Sequence, residues 1–298
     1  MAVRTIELDP PLDLAATLGI LQRGFRDPTI KVGAGSVARA SRTPSGAVGE
    51  LLRQVGTRVE VEAWGPGSAW ALEHAPPLLG SLDDAASFRP RHGLIAEIHR
   101  RLTGLRIPRT ESVFEALVPT VLEQKVPGIQ AWFSYRRLVE EAGEPAPGPL
   151  GLRLPPSAER LASLPSWTFH SLGVERRRAD TLRRSALVAR RIDETARLTP
   201  AEARRRLRTL PGIGAWSAAE VSLVALGDAD AVSLGDYHLP HLVAWALAGK
   251  PRGSDELMLE LLEPYRGHRG RVLRLLQLAG ITAPRFGPRM PLRWIARS

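Results

Sequence analysis

Apolar and polar positions change their rhythm about a third of the way along the chain. Over 58–64 (RVEVEAW), Val59, Val61 and Ala63 alternate with Arg58, Glu60 and Glu62, the period of a strand with one buried face. Residues 3–8 (VRTIEL) also predict a strand, 14–25 predicts a helix, and the Gly- and Ser-rich stretch 33–49 predicts short strands and turns. From about residue 90 the period is helical. After Ser112, the residues Phe114, Leu117, Val118, Val121 and Leu122 fall on one helix face. Ser112-x-x-Glu115 reads as a capping box, and Pro119 is expected to kink that helix. Further helices are predicted over 128–141, 174–195, 200–209, 215–226, 237–248, 254–263 and 268–279, with the Pro-rich stretch 144–157 as a surface connection. The expected fold class is α+β. A small N-terminal α+β domain with an antiparallel sheet (1–90) precedes an all-α body (91–298). That body has a central lobe over about 112–226 and a second lobe from 91–111 and 227–298.

Composition sharpens the picture. With 298 residues, 44% of them hydrophobic, the chain can bury a sizeable core. A net charge of +10 points to a polyanionic partner, nucleic acid first, unless the Arg excess only reflects coding bias. Lysine occurs only at 31, 125 and 250, so the charge is carried by Arg, whose planar fork grips phosphate in two places. The absence of Cys excludes disulfides, thiolate zinc sites and iron–sulfur clusters. The apolar runs fall short of the roughly 18 residues of a membrane span, and the N-terminus lacks a signal-peptide core, so a soluble, cytoplasmic protein is expected.

Candidate chemistry centres on LPGIGAW (210–216), which lies between two predicted helices. Pro211 opens a turn in which Gly212 and Gly214 permit positive φ and close backbone approach. Its amides meet the N-terminus of the helix from Ala215, which suits a phosphate, and Arg204, Arg205, Arg206 and Arg208 surround it. An ordinary αα-hairpin with Gly at its corner is the other reading. Asp236, just ahead of Leu239, Leu242, Val243 and Ala246, fits a helix N-cap. The Arg-rich stretch 174–191 reads as a solvated helix face in preference to a DNA groove. His238 and His241 sit three apart, and metal binding by this pair is not expected. The basic tail 284–298 is either a phosphate-contacting arm or a loosely packed end. No G-x-x-x-x-G-K-[ST] occurs, which excludes a P-loop NTPase.

The stretch LPGIGAWSAAEVSLVALGDADAVSLGDYHL (210–239) resembles the helix-hairpin-helix and Gly/Pro-rich loop followed by Asp of the DNA glycosylase superfamily, and most resembles its AlkA-like 3-methyladenine DNA glycosylase II branch. FEALVPTVLEQKV (114–126) is similar to the helix leading into that family's DNA wedge, and LEPYRGHRGRVLRLL (262–276) to its C-terminal active-site helix. The resemblance implies that the body is a glycosylase fold with the helix-hairpin-helix at 200–226. Asp236 then becomes the catalytic carboxylate, and the amides near Gly212, Gly214 and Trp216 hold a phosphate. It also implies a base pocket of Trp216, Glu220 and His268, a wedge from Gln124, Lys125 and Val126, and an alkali ion on the carbonyls of Arg208, Leu210 and Ile213. No cofactor is implied, and the partner is double-stranded DNA bound by a monomer.

The chain departs from the family at several of these positions. Trp216 stands where bifunctional members carry a nucleophilic Lys, so no lyase step is expected there. Glu220 stands where an aromatic residue is frequent, and reads as a contact to an exocyclic amine, a second acid or a helix-face charge. His268, at a pocket position that is usually aromatic, would stack on a base or titrate near neutrality. Lys125 replaces an apolar intercalator, with Val126 a substitute wedge. The expected function is a monofunctional glycosylase for damaged bases, chiefly alkylated purines. The alternatives are a glycosylase for deaminated or oxidised bases, or a non-catalytic DNA-binding protein.

Overall fold

A computed structural model of the chain describes residues 1–9 and 12–284. The first unit contains β1 (Ala2–Glu7), α1 (Leu14–Leu18), β2 (Ile30–Gly33), β3 (Ser36–Thr43), β4 (Gly46–Val55), β5 (Arg58–Trp64) and α2 (Ser68–Leu78). The strands form one antiparallel sheet in the order β1-β5-β4-β3-β2, with Val61 opposite Arg4 on one side and Leu52 on the other. Alternation places Val59, Val61 and Ala63 inside, and α1 and α2 cover that face through Leu14, Leu18, Ala75 and Leu78. Helix character at 14–25 ends sooner than predicted, at Leu18 and a short 3₁₀ turn. There the Asp27 carboxylate accepts the amides of Arg23 at 2.7 Å and Thr29 at 2.9 Å, folding the chain into a side-chain-capped loop instead. Across 33–49 the strands are longer than predicted because β3 pairs along its whole length with β4, turning at Gly46 with φ 121°.

The body consists of α3 (Gly93–Arg101), α4 (Val113–Glu123), α5 (Gly128–Ala142), α6 (Ala158–Ser163), α7 (Ser166–Ser171), α8 (Arg176–Leu187), α9 (Ala189–Asp193), α10 (Pro200–Leu207), α11 (Ala215–Ala225), α12 (Leu239–Ala248), α13 (Asp255–Leu262) and α14 (Arg269–Leu278). One apolar cluster gathers Leu117, Val121, Leu138, Phe169, Leu182 and Val221 from helices between 113 and 226. Another joins Phe88, Ile95 and Ile98 to Val243, Met258 and Leu276. The helical stretch predicted over 174–195 breaks at Val188, whose φ of −122° leaves the helical range. Among the described residues, no helix is long and apolar enough to cross a membrane.

Two local readings change. Ser112 makes no side-chain cap on α4; its hydroxyl donates to the Thr110 carbonyl. Glu115 turns instead to β3, accepting from Ser41 Oγ at 3.1 Å and the Arg42 amide at 3.0 Å, with Arg39 3.7 Å away. The stretch 144–157 is more than a surface connection. Leu152 and Leu154 are buried against Ala40, and an added Cβ on Gly49 would come within 2.2 Å of the Pro147 carbonyl. The basic tail, beyond Pro284, lies outside the described residues.

Candidate active site

The hairpin between α10 and α11 is built around Gly212. Its φ is 91°, and a Cβ there would sit 2.2 Å from Thr181 Oγ1 on α8, so both conformation and space require glycine. Ile213 anchors the turn in the central core at 5% exposure. Gly214 starts α11 without a side-chain cap, leaving the amides of the first turn for another acceptor. The Leu210 carbonyl accepts the Ile213 N–H at 3.0 Å and keeps a second lone pair that a cation can use. Arg205, Arg206 and Arg208 are exposed around the turn. Arg204 is not available in the same way, because it pairs with the buried Asp228, which also accepts from Ser222 Oγ.

Asp236 uses both carboxylate oxygens. Oδ1 accepts the amides of His238 at 2.7 Å and Leu239 at 2.9 Å, capping the start of α12. Oδ2 accepts the Trp216 indole N–H at 2.9 Å. The preceding Gly235 has φ 81°, and its amide donates to Asp255 Oδ2 at 2.8 Å. Cap and hairpin therefore converge on one half-buried carboxylate. The cap fixes the position of the group, and the indole fixes its orientation.

Glu220 lies one turn after Trp216, on the same face of α11. Ser233 Oγ donates to it. Burial pushes its carboxyl up to about 7; nearby Glu123 and Asp236 act in the same direction, and the Ser233 hydrogen bond and Arg23 oppose them. On α14, burial lowers the Arg274 guanidinium to about 10, with Glu220 opposing. Arg23 lies 3.5 Å from Glu123, which also accepts the Trp132 indole N–H at 3.3 Å. Arg23, Glu123, Trp132, Ser233 and Arg274 were not legible as site residues. They come from the sheet domain, α4, α5, the loop before Asp236 and α14, and no local spacing links them.

The remaining expected residues fall into two groups. Gln124 joins the end of α4 to the hairpin, donating to the Gly212 carbonyl at 3.0 Å and Ser217 Oγ at 2.8 Å. Lys125 is exposed and held at φ 57°, a conformation uncommon outside glycine, and Val126 is half-buried beside it. His268 precedes α14 at its N-cap position without a side-chain capping bond, with Nε2 2.8 Å from Ser87 Oγ and its ring edge-on to Phe88 at 5.5 Å. Burial, then Arg271, pulls its imidazole below the usual value, and Asp83, Asp84 and Asp230 oppose them. This charged neighbourhood differs from that of Glu220. His241 Nδ1 accepts the Gly253 amide at 3.1 Å.

No family model matches the chain. Over 142 residues it is 35% identical to the "Probable bifunctional transcriptional activator/DNA repair enzyme AlkA" of Mycobacterium tuberculosis. The match spans 46% of this chain and 28% of the relative's length. The 3-methyladenine DNA glycosylase of Archaeoglobus fulgidus superposes with a TM-score of 0.77 at 20% identity, covering 92% of this chain and 97% of that one. The 8-oxoguanine glycosylase/lyase of Clostridium acetobutylicum, solved with double-stranded DNA, gives 0.65 at 15% identity, covering 91% and 93%. The chain has the α+β fold of the helix-hairpin-helix DNA glycosylases, and its sequence resemblance is to AlkA.

Proposed function

We propose that this chain is a monofunctional DNA glycosylase of base excision repair that removes damaged bases, chiefly alkylated purines, from cytoplasmic, nucleoid-associated DNA. The supporting observation is the convergence of the hairpin and the start of α12 on Asp236. In this reading the first-turn amides of α11 hold a phosphate and bring the sugar of the flipped nucleotide to the carboxylate. The bond from C1′ to the base nitrogen breaks with its electron pair leaving on the base, and Asp236 stabilises the cationic sugar until water adds. A base already cationic through alkylation leaves as a neutral molecule and needs no protonation. The Trp216 indole supplies it an aromatic face. An alkali ion on the carbonyls of Arg208, Leu210 and Ile213 would add positive charge to the hairpin, and no step depends on it.

A non-catalytic DNA-binding role is disfavoured, because a carboxylate fixed beside the hairpin repels phosphate and serves binding poorly. One observation favours a wider substrate range. Glu220 carries a carboxyl that is protonated over part of the neutral range, and such a group can hydrogen-bond or protonate an uncharged leaving base. The test is a set of duplexes that each carry one lesion: 7-methylguanine, 3-methyladenine analogue, hypoxanthine or 8-oxoguanine. The reading requires fastest release of the alkylated purines. Release confined to oxidised or deaminated bases would replace the alkylated-base assignment.

A further inference from the structure

A basic groove adjoins the hairpin. Between α8 and the turn lies a groove of about 480 Å³, walled on one side by Arg176, Arg177 and Arg184 and on the other by Pro211 and Gly212. All three Arg are exposed and fall on one face of α8, and Asp180 is the single carboxylate among them. Asp180 lies 3.8 Å from Arg176, an exposed pair too weak to tie that guanidinium down. The floor is Thr181, the residue against which Gly212 packs.

The other face of α8 is fixed. Arg178, 1% exposed, donates from Nη1 to the Leu122 carbonyl at the end of α4, two residues before Gln124. The helix is thus braced at once against the hairpin, through Thr181, and against the segment that leads into the wedge. Its arginines sit on a rigid wall, so an anion in the groove requires no rearrangement of the backbone. Three guanidinium groups gathered around one carboxylate repel each other when the groove holds only water, and a phosphodiester relieves that repulsion while accepting their forked N–H groups.

We propose that this groove seats a phosphodiester of the bound strand, adjacent to the one on the α11 amides, and makes α8 a second DNA-backbone-binding element. This rests on DNA being the partner. The test measures binding of an undamaged duplex by fluorescence anisotropy across a potassium chloride series. For the double variant Arg177→Ala/Arg184→Ala, affinity falls at low salt and the log–log salt slope becomes shallower by about 0.9 for each phosphate that is no longer neutralised. Asp180→Asn binds more tightly than the parent, a gain that misfolding cannot mimic. Arg190→Ala, on α9 and outside the groove, leaves the slope unchanged. A double variant with the parent's slope would overturn the groove site while leaving the glycosylase reading intact. An equal loss in Arg190→Ala would overturn it too, by reducing the effect to net charge. A parent protein with no salt-dependent duplex binding would overturn both.

Discussion

Asp236 is held by three N–H donors, the His238 and Leu239 amides at the start of α12 and the Trp216 indole, so its position is set from two sides. Trp216→Phe keeps an aromatic face but removes the indole donor. The expected result is base release slowed about tenfold, or roughly 1.4 kcal/mol, with duplex affinity retained; single-turnover kinetics read this directly. Glu220 gives a pH-dependent expectation. Its folded-state value of about 7 lies above the ordinary 4.5, so the stability it contributes is full below about pH 4.5 and is lost as pH rises toward 7. The interval corresponds to about 3 kcal/mol at most. Glu220→Gln keeps an acceptor for Ser233 and is therefore expected to raise the melting temperature at pH 8 and leave it unchanged at pH 4.5. An equal shift at both pH values would show that the carboxyl is not perturbed. Asp236, Trp216 and Glu220 were legible because a single hairpin and the loop after it carry all three. Arg23, Glu123 and Arg274 were not, since only the tertiary fold brings them to Glu220.

The hairpin separates two kinds of glycine. Gly212 has φ 91° and no room for a Cβ, whereas Gly214 has φ −95° and nothing within 4 Å of where a Cβ would stand. Gly212→Ala is expected to destabilise the protein by about 2 kcal/mol or more in urea unfolding. Gly214→Ala is expected to unfold like the parent but to bind duplex DNA more weakly, because its methyl group meets an approaching phosphate. If Gly214→Ala binds normally, the backbone of α11 is not the phosphate seat. The hairpin, the strand alternation over 58–64 and most of the helices could be read from local periodicity. The Pro-rich stretch could not, because Leu152 and Leu154 find their partners on the distant β3. Ser112-x-x-Glu115 misled for the same reason, since Arg39, Ser41 and Arg42 of β3 take the glutamate that a capping box would use.

Across the whole molecule, the proposed function gives the net charge of +10 and the exposed Arg205, Arg206 and Arg208 one common partner, the DNA backbone. Duplex affinity is therefore expected to fall steeply with salt, with a slope of about −0.9 per phosphate neutralised. The sheet domain also contributes to the site, since Arg23 reaches Glu123 at the end of α4. No lysine occupies the hairpin position of Trp216, where a nucleophilic amine would have to stand, and Lys125 is exposed at the turn that follows α4. Borohydride is accordingly expected to trap no covalent adduct with lesion DNA. The most direct measurement combines these expectations: a duplex carrying one alkylated purine is incubated with the parent protein or with Asp236→Asn. The free base is quantified by chromatography, and the strand is run on denaturing gels with and without alkali. The account predicts free base and an alkali-labile but otherwise intact strand from the parent, and retained duplex binding with no release from Asp236→Asn. A parent that releases no base, or an Asp236→Asn variant whose release falls by only about tenfold, the equivalent of roughly 1.4 kcal/mol, would contradict it.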